Sequence, residues 1–410
     1  MSACPFHNIV DPDIYQGEVP RELFAAMQKD APIVWQDDPV YDNGYWAVTS
    51  QQHLDYISKN PAIFSSSEKS CFYPDHDDDL LAMMRTQLIC MDPPDHVKFR
   101  RVIRNAFTPK MVESYSEHFR EIVKGVIDKV IDNGECEFVT DIACQLPLIA
   151  ICELVGIPLE DRENFFTWTN TMIGGDDLEL NVSEEEAQMA AANVYLYADK
   201  LMAMHRESPS NDLVGALLDG VVEGEHLTED EFRSFVLLLV VAGNETTRTM
   251  TSQGMRILMQ HPDQWQMLVE KPALIPDAIE EMLRYNPAII QFRRTVMQDT
   301  EIGGVMMKVG DKVILNYQAA SQDQINFDQP DKFDITRPQR EDVKNKHRAF
   351  GIGEHFCLGS HLARLELKVT FEEIISRIKN PRLKGEVNYL RSFLVHGIKE
   401  MNIEFEKVQL

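Results

Sequence analysis

Basic residues are scarce in this 410-residue chain: 40 Lys and Arg stand against 66 Asp and Glu, a formal charge of −26. So acidic a molecule is repelled by phosphate backbones and anionic lipid, which argues against nucleic acid as a partner. Long apolar runs are missing too. The longest, from Phe235 to Gly243, is about half of the ~18 residues a membrane span needs, so no membrane anchor is expected. The start, Met1-Ser2-Ala3-Cys4-Pro5, lacks the basic and apolar regions of a secretory signal, and the chain reads as cytoplasmic. The seven cysteines are odd in number and include no Cys-x-x-Cys pair, which speaks against a disulfide framework or a zinc ribbon. Most are expected to be reduced and buried as small apolar residues. Glycine and proline, 20 each, are too few for a collagen-like or low-complexity chain. With no Pro-, Gly- or Ser-rich linker and no internal repeat, residues 1–410 read as one domain.

What is present is a helix-rich pattern with a little strand. Ile33-Val34-Trp35 and Tyr45-Trp46-Ala47-Val48 are strand-like, as are short runs between Thr295 and Leu315 punctuated by Gly303-Gly304 and Gly310-Asp311. Residues 93–285 and 358–379 read as mostly helical. Strands and helices segregated in this way predict a mainly α (α+β) fold with small sheets. The clearest helix starts at Thr228, which with Glu231 makes a capping box, and carries Phe232, Phe235, Val236, Leu239 and Val240 at helical spacing. Continued to His261-Pro262 it would be roughly 45–50 Å long. In its middle Gly243-Asn244-Glu245-Thr246-Thr247 interrupts an apolar run, and such a local violation marks a place to look for function.

The most informative stretch is Ala349-Phe350-Gly351-Ile352-Gly353-Glu354-His355-Phe356-Cys357-Leu358-Gly359, glycines leading into a helix that is expected to start at the cysteine. A sulfur there faces free amides and the positive end of the helix dipole, so the thiolate is favoured, and thiolate ligates iron. Amides near Leu358 and Gly359 would tune such a metal while Phe350 shields one face. An isolated cysteine in a glycine-bearing turn would be read as inert, but the spacing Phe350-x-x-Gly353-x-x-x-Cys357-x-Gly359 resembles the haem-binding signature of the cytochrome P-450 superfamily.

Nearly the whole chain shares that resemblance, which implies the cytochrome P-450 fold, haem b (iron protoporphyrin IX) as cofactor and Cys357 as its metal ligand. It assigns Glu281 and Arg284 of Glu281-Met282-Leu283-Arg284, with Arg337, to bracing the region behind the haem. Ala242-Gly243-Asn244-Glu245-Thr246-Thr247 looks like the family's oxygen-activation sequence. A Thr246 hydroxyl bonded to the Ala242 carbonyl would loosen the helix, and Glu245 could relay protons; these two are the expected catalytic residues. His96, Arg100, Arg294 and His355 are the implied partners of the haem propionates, Arg293 and Arg101 leaving open which arginine of each pair points inward. Phe350 and Gly359 complete the cofactor set. Asp75-His76-Asp77-Asp78-Asp79 is read as a solvated loop capping a short helix.

The implied reaction is insertion of one atom of O2 into a C–H bond, with electrons from a separate ferredoxin and ferredoxin reductase. An acidic ferredoxin needs a basic face behind Cys357, for which Arg104, Lys110, Arg348 and Arg364 are candidates. The segments that by resemblance enclose the substrate are 71–88, 165–172, 238–242, 288–292 and 393–395. Their apolar content, with Leu238, Val241, Ala242, Ile289, Ile290, Phe292 and Leu394 as wall residues, predicts an apolar small-molecule substrate of terpenoid or steroid class. The alternatives are a fatty-acid hydroxylase, a peroxide-driven member of the same fold, or a haem protein that binds without turnover.

Overall fold

A computed structural model describes residues 4–38, 44–209, 213–222 and 225–408. Its axis is the helix Glu229–Gln260, capped as the sequence predicts: Glu231 N–H donates to Thr228 Oγ1 at 3.3 Å and Thr228 N–H to Glu231 Oε2 at 2.7 Å. Glu229, Asp230 and Glu231 in the first turn complement the dipole, and Pro262 opens the next helix. Its 32 residues span about 48 Å. Helices Gln145–Val155, Arg162–Ile173 and Glu184–Glu207 lie against it, as do Ser360–Arg377 and Ile275–Tyr285. Gly254 permits the close approach of the last two, because a Cβ there would stand 2.7 Å from Phe371 and 2.8 Å from Met282.

The expected strands assemble into a mixed five-stranded sheet in the order Ile33–Gln36, Tyr45–Val48, Lys312–Asn316, Gln291–Val296, Phe64–Ser65. Val313 lies opposite both Trp46 and Arg294, and Ile314 opposite Arg293. Gly303 and Gly304, at φ of 58° and 81°, turn the hairpin Thr300–Ile302/Val305–Met307.

Two helical stretches are corrected by the structure. Residues 93–285 include the strand Glu135–Glu137 and the pair Val221–Val222/Glu225–His226. The last long helix ends at Arg377, and Ile378 and Lys379 enter the strand Ile378–Leu383. Glu135–Glu137 and Ile378–Leu383 come from pairing with the distant C-terminal strand Asn402–Lys407, which joins them, whereas Val221–Val222 and Glu225–His226 pair only with each other. The main helical core draws on residues from Leu88 to Phe405, and a separate cluster around Tyr15, Phe24, Tyr45 and Ile314 packs under the sheet.

Candidate active site

The cysteine loop takes its shape from two glycines. Gly351 and Gly353 have φ of 68° and 76°, and a Cβ on Gly353 would lie 2.7 Å from the Ser58 carbonyl oxygen. Cys357 N–H donates to the Phe350 carbonyl at 2.9 Å and closes the loop. The following helix starts at Ser360, not at the cysteine, so Cys357 stands just outside it and the Gly359 amide reaches the sulfur. Burial raises the Cys357 thiol above its ordinary value, against the opposing pull of the Gly359 amide, Arg100 and Arg364. Desolvation outweighs the pull of the amide and the two guanidinium groups here. A coordinating metal deprotonates such a thiol outright.

Behind the loop, the Arg364 guanidinium lies 4.5 Å from the Phe350 ring centroid and donates to Glu280 at 2.6 and 3.0 Å. Burial pushes Glu280 up, but hydrogen bonds from His347 and Arg364 overcome it and hold the carboxyl at about 2. Arg348 is buried and donates to Asp55 at 2.6 and 2.7 Å. Arg348 and Arg364 are thus engaged in internal pairs and drop out as docking groups, whereas Arg101, Arg104 and Lys110 are exposed.

In front of the loop four basic side chains converge. The helix Asp95–Ile103 brings His96 and Arg100, the strand Gln291–Val296 brings Arg294, and the loop brings His355. The His96 and His355 rings are 4.2 Å apart, and Arg100 donates to the Phe356 carbonyl. Burial, Arg100 and Arg294 push His96 down to about 4, Asp92 opposing; burial, Arg294, His96 and Arg100 push His355 down to about 2. His96 Nδ1 is buried without a partner. Asp92, the acid beside them, is occupied by Ser65 and by the Ser66 amide at 2.8 Å. A pocket that gathers two guanidinium groups, two neutral imidazoles and an orphaned imidazole nitrogen, in so acidic a chain, fits a ligand carrying carboxylates, as the haem propionates do.

Strand alternation settles one arginine pair and helix geometry the other. Arg293 turns to Asp75 at 2.6 Å, while Arg294 bonds to Tyr317 and acts on His355. Arg101 is exposed and Arg100 turns inward. Asp77 caps the helix Asp78–Met84, accepting from Leu80 N–H at 2.9 Å, but Asp75 is not merely solvated, since Arg293 and Lys312 both bind it.

On the central helix Val240, Asn244, Glu245 and Thr247 are buried, but Leu238, Val241 and Thr246 are half-buried and Ala242 is exposed. Accessible residues at i, i+4 and i+8 on a helix inside the molecule form one face that lines a cavity. Ile289, Phe292 and Leu394 are likewise half-buried. Ile290 is not part of this wall: it is fully buried in the cluster with Tyr45 and Ile314, because alternation sends it to the opposite side from Ile289.

Thr246 Oγ1 donates to the Ala242 carbonyl at 2.8 Å, as the spacing predicts. Glu245 accepts from Arg248, whose other terminal nitrogen donates to Asn170 Oδ1 at 2.7 Å. Neither Arg248 nor Asn170 emerges from the sequence reading, yet Glu245 and Arg248 share the i,i+3 spacing that singles out Glu281 and Arg284. That second pair is realised in full. Arg284 donates to both Glu281 oxygens at 2.8 Å and Arg337 to one at 3.0 Å, all three residues being buried, while their remaining donors hold the carbonyls of Gln329, Pro330 and Lys332.

Comparison with known proteins bears on this geometry directly. The cytochrome P-450 family model matches residues 180–381. The steroid C26-monooxygenase of Rhodococcus jostii (strain RHA1) is 36% identical over 97% of this chain and 84% of its own length. The linalool 8-monooxygenase of Pseudomonas putida is 31% identical, covering 97% of this chain and 98% of its own. Among solved structures, a Mycobacterium marinum cytochrome P-450 in complex with pseudoionone superposes with a TM-score of 0.89 at 29% identity, covering 99% of this chain and 100% of that one. The chain belongs to the cytochrome P-450 family and has its helix-rich fold with small sheets. It is a cytochrome P-450 monooxygenase, which implies haem, and among its described residues no helix is long and apolar enough to cross a membrane.

Proposed function

We propose that this monooxygenase hydroxylates an apolar small molecule of the steroid or terpenoid class, with O2 and with electrons from a separate ferredoxin and its reductase. The observation that carries the substrate class is the wall Leu238, Val241, Ala242, Ile289, Phe292 and Leu394, which contains no charge, while the adjacent Arg293 is spent on Asp75. A carboxylate head group would be desolvated there without a partner. Relatives named for steroid and linalool oxidation support the same class.

Cys357 would hold the iron through its sulfur, with Phe350 and the Gly359 amide beside it, and His96, Arg100, Arg294 and His355 would bind the propionates. The bound haem supplies the oxygen chemistry: one atom of O2 enters a C–H bond and the other leaves as water, consuming two electrons and two protons. The apolar wall orients the substrate and excludes water. Thr246 presents its hydroxyl from the accessible face of the helix, and Glu245 is the acid that passes protons inward from solvent.

The test is a titration of testosterone, linalool and palmitic acid into haem-loaded protein, followed by the shift in haem absorption and by product analysis. Binding and oxygenation of the sterol or terpenoid is the expected result. Tight binding confined to the free fatty acid, and lost on esterification, would overturn the substrate class.

A further inference from the structure

Two cysteines that the active site does not use face one another. Cys71 lies in the irregular segment between the strand Phe64–Ser65 and the helix Asp78–Met84, and Cys90 ends the short 3-10 helix Leu88–Cys90. Their sulfurs are 3.4 Å apart, and both side chains are fully buried. A disulfide bond is about 2.05 Å long, so closure from 3.4 Å asks for an approach of only ~1.4 Å.

The two sulfurs are not equivalent. Hydrogen bonds from the Cys71 thiol, the Cys71 amide and the Ser70 hydroxyl at 3.6 Å, with the charge of Arg294, hold the Cys90 thiol below its ordinary value against burial. Cys71 is raised, by burial first and by Cys90 beside it. Burial likewise pushes the Cys136 and Cys152 thiols up to about 12 and Cys144 to about 11. Cys90 is thus a buried thiol with thiolate character, set against a second sulfur that can receive it. The pair also stands directly behind the apolar wall. The Cys71 carbonyl accepts from Arg293 N–H at 2.8 Å, and the next residue, the half-buried Phe72, packs edge-on against Phe292 with ring centroids 5.7 Å apart.

We propose that Cys71 and Cys90 form a redox site at which hydrogen peroxide makes a disulfide, clasping together the two ends of segment 71–90 behind the cavity wall. Cys90 is the attacking sulfur. Its thiolate takes one peroxide oxygen, the O–O bond breaks, and the hydroxide released combines with the Cys90 proton to leave as water. The Cys71 sulfur then attacks the resulting sulfenic acid; the S–S bond forms, the S–O bond breaks, and the hydroxyl leaves with the Cys71 proton as a second water. In all, two thiols give up two electrons and two protons, and one peroxide becomes two waters. Full burial of both sulfurs selects a small oxidant of this kind over a bulky one such as glutathione disulfide.

Haem-loaded full-length protein, freed of reductant, is exposed to hydrogen peroxide, quenched with catalase, alkylated and mapped by mass spectrometry of unreduced digests. Haem absorption, followed in parallel, keeps damage to the haem apart from reaction at the pair. The expected product is a single cross-linked peptide joining Cys71 to Cys90, formed at least about tenfold faster than the Cys136, Cys144 and Cys152 thiols are lost. Glutathione disulfide at the same concentration should act at least about tenfold more slowly. Cys71→Ser should leave Cys90 as a sulfenic acid that dimedone traps, whereas Cys90→Ser should leave Cys71 unreacted. Hydrogen exchange across residues 71–90 should slow by about tenfold in the oxidised native protein and in neither variant treated alike.

Oxidation spread evenly over the buried cysteines, or Cys90 running on to sulfinic acid while Cys71 stays free, would overturn the redox site; both are read from the native protein and need no variant. A cross-link that leaves exchange across 71–90 unchanged would overturn the clasp. Dimedone capture at Cys71 in Cys90→Ser, with none at Cys90 in Cys71→Ser, would overturn the assigned direction of attack.

Discussion

At the scale of single residues, the sharpest contrast lies between Glu281 and Thr246, which carry very different structural duties. Glu281 is neutralised by two guanidinium groups that also hold the backbone carbonyls of Asp328, Gln329, Pro330 and Lys332, so removing its charge strands both arginines in the core. Glu281→Gln should destabilise the protein by roughly 3–5 kcal/mol, read as a lowered denaturant midpoint. Thr246 has a lighter structural duty, a single bond to the Ala242 carbonyl. Thr246→Ala should therefore fold and take up haem normally but divert reductant into peroxide; unchanged product per reductant consumed would remove Thr246 from the proton path. Much of this was legible in the sequence, since Cys357, Thr246 and the Glu281, Arg284 and Arg337 group each sit in motifs with fixed spacing. Ile290 and the grip of Arg248 on Asn170 were not. The first depends on which way one bridge residue alternates, and the second joins residues 78 apart.

At the scale of elements, legibility followed the range of the forces involved. The central helix announces both ends locally, through the Thr228 capping box and Pro262, and the structure agrees at both. The strand Glu135–Glu137 and the end of the last helix at Arg377 carry no such local signal, because they exist only through pairing with Asn402–Lys407. Gly254 is a comparable hidden element of the packing: within the helix it looks like a weakness, but it is where Phe371 and Met282 close in. Gly254→Val, although a modest change in helix propensity, should cost about 1–3 kcal/mol through overpacking. A thermal unfolding scan on haem-loaded protein checks this, and an unchanged midpoint would mean the helices can separate freely there.

At the scale of the whole molecule, charge and its burial govern behaviour in solution. Glu366, buried in the core with one unpartnered oxygen, is raised by that burial to about 8, against an ordinary value of 4.5. Between those values the folded chain retains a proton that the unfolded chain has lost, so this group's contribution to stability declines as pH rises from about 4.5 to 8. Glu366→Gln should flatten that part of the pH dependence and gain on the native protein most at pH 8, as read from denaturant midpoints across the range.

The net charge of −26 sets a second constraint. With Arg348 and Arg364 engaged internally, Arg104 and Lys110 are the exposed members of the proposed docking set for an acidic electron donor, and the exposed Arg101 lies beside them in sequence. Arg101→Glu combined with Arg104→Glu should slow haem reduction by about tenfold or more at low salt, and the difference should shrink as salt rises. A rate indifferent to both would place the docking surface elsewhere.

The proposed ligation of iron by the Cys357 thiolate underlies the functional assignments, and absorption of the reduced, carbon monoxide-bound protein tests it most directly. The native protein should show the strongly red-shifted band that thiolate-ligated haem gives, and Cys357→His, if it retains haem, should show only the band of a histidine-ligated one. A native spectrum without the red-shifted band, or a red-shifted band that survives in Cys357→His, would contradict it.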